Sequence, residues 1–340
     1  MRMLRSPSRL LPFLLYALLC LCACKGKKDA GGDAGGGPTL RIAVIPKGTT
    51  HEFWKTVHAG AAKAAQEQNV EIVWKGPLKE DDLKAQIDVV QTFTAQGVSG
   101  IVLAPLSDRA LVTPVKAATQ AKIPVVVFDS DLQSDDSVSF VATDNYAAGK
   151  LAADQMAKVL GDAGGNIVVL RYQEGSASTA NRERGFLDGV KDHASLHVVS
   201  DNQYAGATTQ TAFATSESLL SAQGAKTGGV RGVFAPNEST TFGMLLALRK
   251  ASLTHTVKLI GFDGSADLVK GLRDGEVAAL VLQDPFNIGY LAVKTMAMKL
   301  RGQAVEKRID TGAKVLSLEN EGTPEMKELL NPDLKKWLNE

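Results

Sequence analysis

Length, composition and charge narrow the class of protein before any motif is considered. The chain has 340 residues, of which 44% are hydrophobic and 22% are charged, and its formal net charge is +1. This length suggests about two domains with substantial cores, and the balanced charge gives no electrostatic reason to expect a nucleic-acid partner. All three cysteines precede position 25, which excludes a disulfide framework or a cysteine-based zinc site in the rest of the chain.

The first 23 residues have the pattern of a secretory signal. Three arginines and no acidic residue precede or flank an apolar run of 14 residues, Leu10–Ala23. A helix that spans a membrane needs about 20 residues, so the run is too short for one. It ends at Leu21-Cys22-Ala23-Cys24, which resembles a lipobox and implies cleavage before Cys24 and lipidation of its sulfur. The alternatives are an uncleaved signal anchor and a soluble secreted protein.

Residues 24–38 are predicted to form a flexible tether, because they contain glycine runs and no large apolar residue. Loss of residues 1–23 would leave 35 basic and 37 acidic residues. We therefore expect a lipid-anchored protein on the periplasmic or extracellular face of the cell envelope. Its globular body would begin near Thr39.

The body is predicted to alternate strands with helices. Nine apolar segments are predicted strands: Leu40–Ile45, Glu71–Trp74, Gly100–Ala104, Val125–Phe128, Asn166–Leu170, His197–Ser200, Val230–Phe234, Lys258–Gly261 and Ala278–Leu282. Near-continuous apolar runs are typical of parallel strands that are buried on both faces. The alternation predicts βαβ units, and it restarts after Asn145. We therefore predict an α/β fold of two similar doubly wound parallel-sheet lobes, in preference to one large sheet.

Polar residues follow the predicted strands, where ligands of open α/β sheets bind. These positions carry the segments Lys47–Trp54, Asp129-Ser130-Asp131, Thr143-Asp144-Asn145, Asn181-Arg182, Asn237-Glu238, Asp263 and Gln283. Carboxylates and amides pair with hydroxyl groups, and aromatic rings cover the C–H faces of a sugar. The sequence therefore predicts a site for a small hydroxylated solute.

In this order and spacing, the segments resemble the type I periplasmic binding protein family, in particular its ribose-, galactose- and autoinducer-binding branch. The resemblance covers nearly all of residues 39–320, and its most specific pieces are Phe53-Trp54, Phe128-Asp129, Thr143-Asp144-Asn145, Arg182-Glu183-Arg184-Gly185-Phe186, Phe234-Ala235-Pro236-Asn237-Glu238 and Gly261-Phe262-Asp263-Gly264. It implies that Phe53 and Trp54 stack on the ligand. The implied polar contacts are His51, Asp129, Ser130, Asn145, Arg182, Asn237, Asp263 and Gln283. Tyr204 would be a second aromatic platform.

Two departures from the family pattern bear on the ligand. Ala104 and Ser130 stand where ribose binders carry asparagine and arginine, which removes several donors and disfavours ribose itself. Lys47, Asp129 with Asp131, and Pro236 are instead similar to binders of rhamnose or of the furanosyl autoinducer. The choice within this branch stays open.

The resemblance also implies a mechanism. Lobe 1 (residues 39–143 plus 284–313) and lobe 2 (144–283 plus 314–340) would close about a three-strand hinge near Thr143, Gln283 and Gly312. A monomer would then deliver its solute to the transmembrane subunits of an ABC importer. No cofactor, metal or catalytic residue is expected, since His51 and His58 lack the spacing of a zinc protease. The alternatives are a ligand sensor for a chemoreceptor or sensor kinase, and a secreted carbohydrate-active enzyme using Asp129 and Asp263.

Overall fold

The computed structural model describes residues 39–338, so the predicted signal, the tether and Cys24 lie outside the described residues. Their strands are β1 Arg41–Ile45, β2 Glu71–Trp74, β3 Gly100–Leu103, β4 Val125–Phe128, β5 Ser139–Ala142, β6 Gly165–Arg171, β7 Leu196–Tyr204, β8 Gly232–Phe234, β9 Lys258–Phe262, β10 Ala279–Leu282, β11 Arg308–Asp310 and β12 Lys314–Leu316. Their helices are α1 Glu52–Glu67, α2 Leu83–Ala95, α3 Val112–Gln120, α4 Asn145–Leu160, α5 Ala177–Val190, α6 Thr209–Ala222, α7 Glu238–Ala251, α8 Ala266–Arg273, α9 Pro285–Leu300, α10 Pro324–Leu330 and α11 Leu334–Leu338. None of the described helices is both long enough and apolar enough to cross a membrane.

The strands form two sheets of six. The order is β11-β5-β4-β3-β1-β2 in the first sheet and β12-β10-β9-β8-β6-β7 in the second. Neighbouring strands run parallel, except that β12 is antiparallel to β10. The predicted α/β class with two parallel sheets is therefore confirmed. We call the elements packed on the sheet β11-β5-β4-β3-β1-β2 the first half, and the elements packed on the sheet β12-β10-β9-β8-β6-β7 the second half.

Side chains of successive strand residues enter different cores. In β1, Ile42 and Val44 pack on one face of the first sheet, and Ala43 and Ile45 pack on the other. The second sheet is likewise covered on both faces. Burial on both faces explains why these strands read as continuous apolar runs.

The chain passes between the sheets three times: after β5, after β10, and between β11 and β12. Thr143 lies at the first of these passages, and its hydroxyl donates to the carbonyl of Gly312 at the third over 3.1 Å. Gln283 directly follows β10 at the second. The three positions predicted as a hinge therefore coincide with the passages of the chain between the sheets.

The C-terminal helices contact both halves. In α10, Met326 is buried in a core of the second sheet, whereas α11 packs against α1 of the first half. The predicted division placed all of residues 314–340 in the second lobe, and α11 departs from it. The turn at Asn331 and Pro332, between the two helices, carries the chain from one half to the other.

Candidate functional site

Residues at the carboxyl ends of both sheets line one cleft. Among residues 39–338, fourteen side chains line it: Lys47, His51, Phe53, Trp54, Glu80, Asp129, Tyr172, Ser178, Thr179, Arg182, Asn237, Glu238, Asp263 and Gln283. The first six belong to the first half and the other eight to the second, so that each half supplies one wall. This arrangement follows from parallel strands, whose carboxyl ends meet at a common edge.

Eight of the eleven predicted ligand residues line this cleft, and Ser130, Asn145 and Tyr204 do not. Ser130 is buried beside it, where its hydroxyl accepts the backbone N–H of Ser178 over 3.1 Å. Asn145 lies behind Arg182 and accepts its Nε–H over 2.7 Å. Both residues therefore support the walls of the cleft from outside it.

Tyr204, predicted as a second aromatic platform, does not line the cleft, whereas Tyr172 does. Tyr204 ends the edge strand β7, is 44% exposed and does not line the cleft. Its ring lies 5.9 Å from the guanidinium of Arg171, its pairing partner in β6. Tyr172 directly follows β6, is fully buried and lines the cleft. The rule that found the other site residues, inspection of the position after each strand, also identifies Tyr172.

Two aspartates occupy equivalent positions in the two halves. Asp129 follows β4 and Asp263 follows β9, and both have left-handed backbone conformations, with φ of 60° and 67°. Aspartate tolerates this region better than most residues. The sharp change of direction at the strand end leaves both side chains lining the cleft.

Asp263 is held by donors of the second half. Its Oδ1 accepts from Gln283 Nε2 over 2.8 Å, and its Oδ2 accepts the backbone N–H of Glu238 over 2.9 Å. Burial raises the pKa of Asp263, while the Arg182 charge and these two hydrogen bonds oppose the rise. Asp263 does not cap α8, because the N-cap residue of that helix is Ser265.

Arg182 is buried with one end of its guanidinium group unpaired. Nε donates to Asn145, Nη1 donates to the carbonyl of Pro236 over 2.9 Å, and the group lies 4.4 Å from the centre of the Phe262 ring. Nη2 has no partner among the described residues, and neither does Oε1 of Gln283. Buried polar atoms are nearly always hydrogen-bonded. The cleft therefore offers one buried donor and one buried acceptor to a bound molecule.

Glu80 is a cleft residue that the sequence did not reveal. It lies in the loop between β2 and α2, six residues beyond the end of the strand, and no motif of the sequence singles it out. Its Oε1 accepts from Trp54 Nε1 over 2.6 Å and lies 2.9 Å from Nδ1 of His51, and its Oε2 accepts from the hydroxyl of Tyr172. This side chain therefore joins three residues of the cleft.

Glu80 and His51 shift each other's protonation. Burial alone would lower the pKa of His51, but the hydrogen bond and charge of Glu80 outweigh it and raise that pKa to about 9. Burial would likewise raise the pKa of Glu80, but His51, Lys47 and Trp54 lower it to about 2. At neutral pH the pair is an imidazolium and a carboxylate. The second ring nitrogen of His51 then also carries a hydrogen.

Two glutamates cap helices across the cleft. The carboxylate of Glu238, the first residue of α7, accepts the backbone N–H groups of Glu52 and Phe53 at the start of α1, over 3.3 and 3.1 Å. The carboxylate of Glu52 in turn accepts the N–H of Ala266 at the start of α8 over 2.8 Å. Burial raises the pKa of Glu238 to about 7, although the charge of His51 opposes the rise. These contacts join the first and second halves at the rim of the cleft.

Known proteins share this architecture. The family model of the periplasmic binding protein domain matches residues 42–304. The chain is 31% identical to the ribose import binding protein of Haemophilus influenzae over 278 residues. This alignment covers 81% of this chain and 91% of that protein. A carbohydrate transporter solute binding protein from Agrobacterium radiobacter, solved in complex with D-arabinose, is 32% identical with a TM-score of 0.81, covering 86% of this chain and 99% of that one. An ABC transporter solute binding protein from Agrobacterium vitis with bound D-fucose is 36% identical with a TM-score of 0.80, covering 86% and 100%.

Proposed function

Because this chain belongs to the periplasmic binding protein family, we propose that it captures one neutral monosaccharide in the cleft between its halves and delivers it to an ABC importer. It is a binding protein rather than an enzyme. The names of its relatives support the class of solute, since they specify ribose, arabinose and fucose. The protein is proposed to act outside the cytoplasm, as its membership of a periplasmic family suggests.

The observation that carries the proposal is the pair of unsatisfied atoms in the cleft. Nη2 of Arg182 is a donor and Oε1 of Gln283 is an acceptor, and both are buried without a partner among the described residues. Leaving such a group unpaired costs about 1–3 kcal/mol. A sugar hydroxyl both accepts and donates, so hydroxyl groups of one sugar satisfy both atoms.

The charges of the cleft favour a neutral solute. Lys47 is paired with Asp129 at 3.2 Å, and His51 is paired with Glu80 at 2.9 Å. The third cation of the cleft, Arg182, interacts with the charge of Asp263, so a charged sugar, such as a sugar phosphate or a sugar acid, would lose its hydration and would also meet carboxylates of like charge. Hydroxyl groups require no such compensation.

We propose that the halves act as lobes, residues 39–143 with 284–313 and residues 144–283 with the chain that follows 313. Solute that touches both walls would favour the closed arrangement through its extra affinity for that state. The hinge would comprise the three passages near Thr143, Gln283 and Gly312.

A lipid anchor on Cys24 completes the proposal, on the basis of the sequence Leu21-Cys22-Ala23-Cys24 alone. Expression of the full chain in a bacterial host with radiolabelled palmitate tests it. The label is expected on the wild-type protein in the membrane fraction and not on Cys24→Ala. Equal labelling of both would contradict the anchor without affecting the binding site.

A thermal-shift screen followed by calorimetric titration tests the solute class. The screen includes D-ribose, D-arabinose, D-fucose and D-allose, with gluconate and glucose 6-phosphate as charged counterparts. A neutral sugar is expected to raise the melting temperature, because it binds only the native state. Arg182→Ala is expected to weaken the binding of that sugar at least 100-fold. The control is Arg184→Ala, at an exposed position on the same helix, which is expected to weaken binding less than threefold. The proposal fails if no neutral sugar binds, or if both variants bind as tightly as the wild type.

A further inference from the structure

The carboxylate of Glu80 has three side-chain partners in the cleft. The side chain is 7% exposed, and it receives the indole N–H of Trp54, the imidazole of His51 and the hydroxyl of Tyr172. Two donors occupy Oε1, and one occupies Oε2. The carboxylate is thus largely used by the protein itself, which distinguishes it from the unpaired atoms of Arg182 and Gln283.

The partners of Glu80 come from opposite walls. His51 and Trp54 lie at the start of α1 in the first half. Glu80 also belongs to the first half, where it precedes α2. Tyr172 follows β6 of the second half and is fully buried. The next residue, Gln173, donates its side-chain amide to the backbone carbonyl of Glu80 over 3.3 Å. One short stretch of the second half therefore closes on Glu80 at two points.

The ionised state of Glu80 makes these contacts strong. His51 and Lys47 keep the carboxylate charged, and hydrogen bonds to a charged acceptor are about twice as strong as neutral ones. A charged group this deeply buried also needs all of its donors. Withdrawal of the Tyr172 hydroxyl would leave Oε2 without its donor.

Accepting the proposed function, we propose that Glu80 is a positioning residue for solute binding. It fixes the indole of Trp54 and the imidazole of His51 at the wall of the cleft, and it gains its last donor only when Tyr172 closes over it. The Tyr172–Glu80 hydrogen bond then holds the closed, solute-loaded form, so it controls the release of solute rather than its capture.

Stopped-flow measurement of tryptophan fluorescence tests this proposal with D-ribose, D-arabinose, D-fucose and D-allose as probes. Tyr172→Phe keeps the ring and removes the hydroxyl. It is expected to raise the dissociation rate constant about 10- to 100-fold while the association rate constant changes less than threefold. The matched control is Tyr146→Phe, which removes a hydroxyl bonded to the Asp188 carboxylate at 3.1 Å outside the cleft. Its rate constants are expected to equal those of the wild type.

A double-mutant cycle separates positioning from simple packing. Glu80→Gln alone is expected to raise the dissociation rate constant, and adding Tyr172→Phe to it is expected to change that constant less than twofold further. Effects that multiply, or wild-type release from Tyr172→Phe, would overturn the proposal. If Glu80→Gln does not fold, the single variant Tyr172→Phe against Tyr146→Phe decides. A wild-type protein that binds none of the four sugars refutes the proposed function instead.

Discussion

Lys47 and Asp129 form a salt bridge inside the cleft, with Nζ 3.2 Å from Oδ2 and side chains only 4% and 5% exposed. Lys47 comes from the loop after β1, and its ammonium also donates to the hydroxyls of Ser176 and Ser178 in the second half, over 3.3 and 3.0 Å. One buried cation therefore links a carboxylate of its own wall to the opposite wall. Removal of either charge would leave the other buried and uncompensated.

We expect Lys47→Met to lower the free energy of unfolding by about 3 kcal/mol, because it strands the Asp129 carboxylate. The double variant Lys47→Met with Asp129→Asn is expected to recover more than half of that loss. Urea denaturation measures both. Lys84→Met is the control, since Lys84 pairs with Asp88 on the surface with its side chain 85% exposed, and its loss of stability is expected to be far smaller than that of Lys47→Met. Equal losses from the two lysine variants would contradict the assignment.

The His51–Glu80 pair predicts a pH profile of stability with two limits. The pKa of Glu80 is lowered to about 2, so its contribution is present above the ordinary value of 4.5 and is lost as the pH falls toward 2. The pKa of His51 is raised to about 9, so its contribution is present below 6.5 and is lost as the pH rises through 9. The pair is expected to contribute about 3 kcal/mol between pH 4.5 and 6.5.

Thermal unfolding of wild type and Glu80→Gln between pH 2.5 and 10 measures this contribution. The difference in stability between the two proteins is expected to be greatest between pH 4.5 and 6.5 and to shrink on both sides. Glutamine is uncharged and cannot hold His51 in its protonated form. The variant therefore loses the contribution of Glu80 and the contribution of His51 together. Parallel curves for the two proteins would refute the pairing.

The carboxyl group of Glu238 is expected to affect the pH dependence of stability in the opposite direction to that of Glu80, because its pKa is raised and not lowered. Burial raises its pKa to about 7 from the ordinary 4.5, so its favourable contribution is present below 4.5 and is lost as the pH rises through 7. Glu238→Gln is neutral at every pH and retains one acceptor for the N–H groups of Glu52 and Phe53. We expect it to exceed the wild type in stability by about 1–2 kcal/mol at pH 8.5 and to match it at pH 4.5. Calorimetric melting temperatures at the two pH values decide, with Glu174→Gln, at an exposed position, as the control for the loss of one carboxylate.

The sequence predicted the sheets well because their strands carry a strong signal. Glu71–Trp74 and Val125–Phe128 have the predicted bounds, and the remaining seven predicted strands differ from the structure mainly at their ends. Strands β5, β11 and β12, of three or four residues each, were not predicted. β11 and β12 lie at sheet edges, where one side of the strand is open and the apolar pattern is interrupted.

The candidate site was predicted where it depends on strand ends and missed where it depends on the approach of the two halves. Asp129, Asp263 and Gln283 each follow a strand, and that position alone brings them to the cleft. Glu80 lies six residues past β2, and its importance arises from partners 26 to 92 positions away along the chain. No local pattern encodes such contacts. Residues like it become visible only when the two walls are assembled.

The packing of α4 against α5 sets the position of Arg182, and two glycines allow it. A Cβ on Gly185 would collide with the carbonyl oxygen of Tyr146, and a Cβ on Gly149 would collide with the carbonyl oxygen of Arg182 itself. Backbone atoms of one helix therefore rest on the other. We expect Gly185→Ala to push the helices apart and to lower the free energy of unfolding by about 3 kcal/mol, at the upper end of the cost of overpacking.

The same displacement separates Arg182 from Asn145, whose side chain lies 2.7 Å from Nε of Arg182 and orients it. Gly185→Ala is therefore expected to weaken solute binding at least tenfold even at temperatures where the variant is fully folded, as calorimetric titration would measure. Gly322→Ala is the control, because a Cβ there meets no atom within 4 Å, and both stability and affinity are expected to change little. A folded Gly185→Ala protein with wild-type affinity would mean that the helix pair does not set the position of the arginine.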